Sequence, residues 1–223
     1  MPPAALDIAV PLAAMLEVLA VVTSACYGIL LARRSGFDLV GIYTLALLIA
    51  FGGGTIRDVF LDRHPLFWIA NPVYPVLVFW LAVASTRIRR LARSFPAWLE
   101  GFDAMALGLY TASGVRAGLE AGTSWFVAAL FGVITGCFGG VAADLMTGQV
   151  PRLFRGRQPI YATVSMVGGI ILILALAAGM PQTPATALAV VAIVIVRVLA
   201  LRYDWHLPEV HDEEPTAGAT DAD

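Results

Sequence analysis

The sequence predicts an all-α membrane protein, with seven transmembrane helices arranged as two inverted three-helix repeats plus a C-terminal helix. Three observations lead there. The first is composition: 59% of the 223 residues are hydrophobic and 13% are charged, against roughly 45–50% and about 25% in a soluble domain. The mean hydropathy is +0.82, and a water-soluble fold cannot bury that much apolar surface. The second is a series of long apolar runs. The third is a self-similarity at one fixed spacing.

Seven apolar runs are long enough, or nearly so, to cross a bilayer as helix, which takes about 20 residues. They cover about 8–32, 39–57, 68–86, 95–115, 122–144, 159–180 and 182–203. Solid apolar runs argue against a membrane β-barrel, whose strands would alternate. Polar and glycine-rich breaks separate the runs, among them Arg33-Arg34-Ser35-Gly36, Arg87 to Arg93, Arg152 to Gln158 and Met180-Pro181. Asn71-Pro72-Val73-Tyr74-Pro75 gives the third span an irregular entry. Trp68, Trp80, Trp98, Trp125 and Trp205 mostly fall near span ends, as interface anchors do. Residues 208–223 are acidic and polar and read as a disordered tail.

The first run is not a cleaved signal, because its positive residues follow the apolar stretch. All 14 basic residues are arginine. Arg33, Arg34, Arg87, Arg89, Arg90, Arg93, Arg152, Arg155, Arg157 and Arg202 gather on one side, and Arg57, Arg63 and Arg116 on the other. The positive-inside rule then sets the N-terminus outside and the C-terminus in the cytoplasm. Arg197 lies within the last run and is expected to snorkel to the cytoplasmic edge.

Shifted by 86 residues, the chain meets itself without a gap: Glu17 falls on Asp103, Ala20 on Ala106, Gly28 on Gly114, Gly53-Gly54 on Gly139-Gly140, Asp58 on Asp144 and Pro65 on Pro151. Each copy holds three spans. An odd number turns the second copy upside down, and inverted repeats place a permeation or substrate path between their halves. The expected organisation is residues 1–93 and 94–180 as the two repeats, 181–207 as the seventh helix and 208–223 as the tail.

Chemistry concentrates in the repeated motifs. Gly52-Gly53-Gly54 precedes Arg57-Asp58, and Gly139-Gly140 precedes Asp144, with Ala143 where the first copy has Arg57. Glycine costs a helix about 1 kcal/mol against alanine. Such runs can break the helix and turn carbonyls toward a cation, or they can allow close helix packing. Arg57 and Asp58, about 100° apart on a helix, need not pair with each other. They either flank a water-filled vestibule or sit as an interfacial pair. Glu17 and Asp103 fall within spans, where a charge costs about 2.5–3.5 kcal/mol. They suit cation attraction or proton coupling, or they are structural carboxylates bonded to a broken helix or to Arg116.

Other chemistry is disfavoured. A net charge of −2 offers no basic field to nucleic acid. Cys26 and Cys137 lie in apolar runs and read as small hydrophobes. No Ser/His/Asp or Cys/His set is visible, and His206, His211, Asp212 and Glu213 read as a solvated acidic tail. No enzyme activity, cofactor or metal is expected.

Gly52-Gly53-Gly54-Thr55-Ile56-Arg57-Asp58, the following Arg63-x-Pro65-x-Phe67-Trp68, and Gly139-Gly140-x3-Asp144-x6-Pro151 resemble bacterial members of the TRIC (trimeric intracellular cation) channel family. Their prokaryotic glycine-transporter-like relatives share the repeat. The resemblance covers about residues 10–203 and departs from the bacterial pattern at Ala143. It implies seven helices, a homotrimer in membrane lipid, and a pore inside each protomer that passes K+ and Na+ between glycine-broken second and fifth spans. It also implies pore residues Gly52, Gly53, Gly54, Arg57, Asp58, Gly139, Gly140 and Asp144. A carrier for glycine or a similar small zwitterion is the alternative, and a bacterial cell membrane is the expected location.

Overall fold

The computed structural model describes residues 6–87, 96–154 and 159–206. Arg89, Arg90, Arg93, Arg155, Arg157 and the tail, on which parts of the topology and domain expectations rest, lie outside them. The described residues form a helical bundle: α1 (Leu6–Arg34), α2 (Leu39–Phe60), α3 (Phe67–Ala70), α4 (Val73–Arg87), α5 (Pro96–Glu120), α6 (Trp125–Met146), α7 (Ala162–Ala177) and α8 (Gln182–Tyr203). A 3-10 turn at Arg152–Phe154 follows α6.

Every predicted apolar run carries a helix. The run at 68–86 divides into α3 and α4 at Asn71 and Pro72, where proline supplies no N–H and restricts the residue before it. Met15–Arg34, α2, α6 and α8 are each long and apolar enough to cross a membrane. The apolar helices α4 and α7 have 15 and 16 residues, which at about 1.5 Å per residue is less than a 30 Å hydrocarbon layer. Helix α5 is 25 residues long but holds Glu100, Asp103, Arg116 and Glu120.

The 86-residue spacing reappears in the element boundaries. Helices α2 and α6 have 22 residues each, and α1 and α5 end at Arg34 and Glu120. Gly36 and Gly122 follow those ends with φ of 77° and 74°, the left-handed backbone that terminates a helix without steric cost in glycine. Asp38 and Ser124 then cap α2 and α6 by accepting from the N–H of Gly41 (2.8 Å) and Val127 (3.4 Å). Past the far ends, the N–H groups of Arg63 and Gln149 each donate to the carbonyl of Asp58 and Asp144 at 2.8 Å.

Core packing centres on two helix pairs, α1 with α2 and α5 with α6, joined where α2 meets α6. Val21, Leu45 and Val78 fill one buried cluster, and Val115, Leu172 and Ala189 another. Helices α2 and α6 meet through glycine. A methyl at Gly139 would stand 2.7 Å from the carbonyl oxygen of Ile49, and one at Gly53 closer still to that of Thr135. Ile49 and Thr135 are themselves 86 residues apart, so each helix lays its glycine on the carbonyl one turn before its partner's glycine.

This corrects the expected helix breaks. Helices α2 and α6 run unbroken through Gly52-Gly53-Gly54 and Gly139-Gly140. The physical reason is packing: backbone-to-backbone approach needs a residue without a Cβ, and the contact offsets the weak helix propensity of glycine.

Candidate functional site

One end of the α2–α6 axis opens on a cavity of about 340 Å³, lined among others by Glu17, Arg57, Asp58, Arg63, Arg116 and Glu120. The last turn of α2 presents Arg57 and Asp58 to it, both nearly sealed at 4% and 2% exposure. The pairing that the sequence left open is made: Arg57 Nε and Nη2 stand 2.8 and 2.7 Å from Asp58 Oδ1. A long guanidinium can bend along the helix surface, so backbone directions 100° apart do not prevent contact. Asp58 Oδ2 also accepts from the N–H of Phe67 at 2.9 Å. Arg57 Nη1 donates to Ser113 Oγ on α5 at 2.8 Å, and the guanidinium lies 5.5 Å from the Phe67 ring centre. Half-buried Glu17 accepts from Tyr74 Oη at 3.1 Å.

Glycines shape this end from behind. Phe67 lies against Gly54, where a Cβ would collide with its ring, and Phe138 lies 3.2 Å from the Cβ position of Gly52. Trp68 stacks on Phe51 at 5.6 Å and donates from Nε1 to Thr55 at 3.0 Å. At the rim, Glu120 faces Arg63 at 3.6 Å and Arg116 at 3.4 Å. Such exposed pairs contribute at most about 1 kcal/mol.

The second end repeats the wiring. Asp144, at the last turn of α6, accepts from the N–H of Arg152 at 2.7 Å and pairs with Arg152 Nε at 3.2 Å. Arg152 Nη2 donates to Tyr27 Oη on α1. Asp103 accepts from Tyr161 Oη at 3.2 Å, and Tyr161 Oη stands 3.1 Å from the Cβ position of Gly140. The expected partners of the intramembrane acids are therefore corrected. Neither a broken helix nor Arg116 holds Glu17 or Asp103; each takes a tyrosine hydroxyl.

Arg197 is a further correction. It does not snorkel outward but is 3% exposed, with Nη2 3.5 Å from Asp103 Oδ2. Its Nη1 donates to the carbonyls of Ile160 (2.9 Å) and Pro159 (3.1 Å), and it lies 4.6 Å from the Tyr161 ring centre. A buried carboxylate and the open carbonyls before α7 give the guanidinium internal partners that the interface would otherwise supply.

Of the expected site residues, Arg57, Asp58 and Glu17 share the cavity, while Asp103 and Asp144 stand at the other end. Gly53 and Gly139 lie in the crossing between them. Tyr27, Tyr74, Ser113, Arg152 and Tyr161 escaped the reading of the motifs. A signal for two of them was present: Tyr74 and Tyr161 lie 57 and 58 residues after Glu17 and Asp103, a repeat offset by one residue.

These features define a multi-pass membrane protein built around two charged clusters, and the sequence profile of the family described as Glycine transporter matches residues 14–89 and 100–177. The chain belongs to that family. It is similar to the UPF0126 inner membrane protein YadS of Escherichia coli K12, 32% identical over 194 residues, covering 86% of this chain and 92% of that protein. A UPF0126 membrane protein of Vibrio cholerae is 37% identical over 183 residues, 81% of this chain and 74% of that one. Among solved structures, the TRIC trimeric intracellular cation channel orthologue from Rhodobacter sphaeroides superposes with a TM-score of 0.80 at 29% identity, covering 87% of this chain and 99% of that one. A structure from work on conductance through TRIC cation channels gives 0.78 at 27% identity, covering 90% and 98%. The resemblance to bacterial TRIC proteins and their glycine-transporter-like relatives is borne out.

Proposed function

We propose that this protein is a monovalent cation channel, passing K+ and Na+ along a path inside each protomer. The observation that carries the reading is the likeness to the two TRIC channels over nearly the whole chain. The charged cavity reaching Glu17 supports it, since an acid bordering water at membrane depth attracts cations. The proposed path follows the faces of α2 and α6, with Glu17, Arg57 and Asp58 at one end and Asp103 and Asp144 at the other. Gly52, Gly53, Gly54, Gly139 and Gly140 serve it by letting helices and rings approach. We further propose two inverted three-helix repeats, residues 1–93 and 94–180, with α8 as the seventh span. The assembly is a homotrimer in a bacterial inner membrane, N-terminus outside and C-terminus in the cytoplasm.

The cavity also lines up arginines with acids, a pattern that suits a zwitterion, and the family description points the same way. A carrier for glycine or a similar solute is therefore the second reading. Reconstitution in planar bilayers separates the two. Discrete current steps in KCl establish the channel, and saturable glycine counterflow without steps establishes the carrier.

A further inference from the structure

Charge balance around the cavity is incomplete. Asp58 has Arg57 at 2.7 Å, and Glu120 has Arg63 and Arg116 at 3.6 and 3.4 Å. Glu17 has the hydroxyl of Tyr74 but no cationic partner among the described residues. The acid 86 residues further on shows what such a place takes. Asp103 also accepts from a tyrosine, and a guanidinium stands beside it: Arg197 Nη2 is 3.5 Å away, with its carbon 4.6 Å from the ring centre of that tyrosine. The cation there is organic, delocalised and weakly hydrated, and α8 supplies it. Beside Glu17 the chain supplies none, and the cavity of about 340 Å³ lies there instead. That volume falls in the range of small-molecule sites, about 300–1,000 Å³.

The walls say which cation fits. Leu16 and Ala20 are four residues apart on α1, and Leu109 and Ala112 three apart on α5, so each pair shares a helix face. These walls are apolar. An alkali ion that sheds water needs oxygens in its place, and such side chains offer none, whereas they suit alkyl groups. Tyr110 donates its hydroxyl to the carbonyl of Ala50, so its ring is what remains for the cavity. The Phe67 ring already holds one guanidinium, Arg57, at 5.5 Å. Aromatic rings beside a carboxylate are the surroundings in which methylated ammonium ions are bound. Arg63 and Glu120 at the rim are about half exposed, so their charges are screened more than that of Glu17.

We infer that this cavity binds a small methylated ammonium ion, with its charge on Glu17 and its methyl groups against Leu16, Leu109 and the ring of Tyr110. The site does not depend on whether the protein conducts ions or carries a solute.

The test is equilibrium dialysis of the full chain in detergent against radiolabelled tetramethylammonium. Saturable binding of one ion per chain is expected. Glu17→Gln should weaken it about tenfold or more. Glu100→Gln, an exposed acid near the opposite end of α5, should leave it within about twofold. Unlabelled ammonium, which resembles K+ in size, and its mono-, di- and trimethyl forms then compete with the label. Their potency should rise about three- to fourfold with each methyl, as burial of apolar groups requires. No saturable binding would overturn the site, and so would binding unchanged in Glu17→Gln. Potency that is flat or falling along the series would overturn it too, because attraction by charge alone gains nothing from methyl groups. The series is read on the wild-type chain, so it decides the matter even if Glu17→Gln does not fold. None of these outcomes bears on K+ current in planar bilayers, so the failure of this site and the failure of the channel reading are separate results.

Discussion

Glu17 and Asp103 stand 86 residues apart in the sequence, and each accepts a hydrogen bond from one tyrosine, yet their surroundings differ sharply. Glu17 borders a water-accessible cavity and is half-buried, with no further ion pair described. Asp103 is 4% exposed and faces Arg197 of α8. The difference comes from α8. Helix α8 packs on α5 and α7 and carries a guanidinium into one end only. Helix α8 balances the charge at one acid and leaves the other to solvent.

That contrast predicts the largest effect. Removing one partner of a buried ion pair costs about 3–5 kcal/mol, because the other charge is left in a low-dielectric site. Arg197→Leu should therefore lower thermal stability by about that much, measured by unfolding in detergent. Arg197→Leu/Asp103→Asn should recover most of the loss, since neutral partners no longer strand a charge. A double variant no more stable than Arg197→Leu would show that packing of α8, and not charge balance, distinguishes the two ends.

The next effect probes the axis between the ends. Gly53→Ala and Gly139→Ala both push a methyl into backbone carbonyl, with the closer approach at Gly53. Each should destabilise by about 1–3 kcal/mol, Gly53→Ala by more. Gly101 is the control: it lies in α5 with nothing within 4 Å of its Cβ position. Gly101→Ala should leave stability unchanged or raise it by up to about 1 kcal/mol. Equal stability gains at Gly53, Gly139 and Gly101 would return the crossing glycines to the helix-breaking role.

The same residues mark how far the sequence could be read. The helices were legible because burial in a bilayer demands long apolar runs, and the 86-residue spacing of their boundaries was legible because glycine and acid positions keep it. Even the equal ends of α2 and α6 follow from Gly36/Gly122 and Asp38/Ser124, all visible locally. What the glycines do was not legible. Low helix propensity is a property of one strand of sequence, whereas the Gly53–Thr135 approach depends on a second helix. The partners of Arg152 and Arg197 were not legible for a similar reason. Arg152 and Tyr27 are 125 residues apart, and Arg197 meets Asp103 only once α8 has packed on α5. A long, flexible side chain chooses its partner after the backbone is in place, so its local neighbours say little about it.

The smallest effect on the fold, at Glu17, is the most informative about function. Glu17→Gln keeps an oxygen that can accept from Tyr74, so the hydrogen bond at 3.1 Å survives the change. The residue is half-buried beside the cavity, where its charge is already solvated. Stability should therefore move by less than about 1 kcal/mol. Cation flux should behave otherwise. Arg57 and Asp58 neutralise each other, and Arg63, Arg116 and Glu120 crowd the rim. Glu17 is then the carboxylate left to attract a cation at depth, and its loss should reduce K+ conductance about two- to fivefold. The reduction should shrink as salt rises, because the Debye length contracts from about 10 Å at 0.1 M to about 3 Å at 1 M. The equivalent change at the sealed end should invert the pattern. Asp103→Asn strands Arg197 and should cost stability first, with any change in conductance arising only in the fraction that remains folded. Single-channel recording and thermal unfolding on the same two preparations would settle it. A Glu17→Gln channel with normal conductance at low salt would remove this carboxylate from the path. An unstable Glu17→Gln protein would erase the contrast between the two ends.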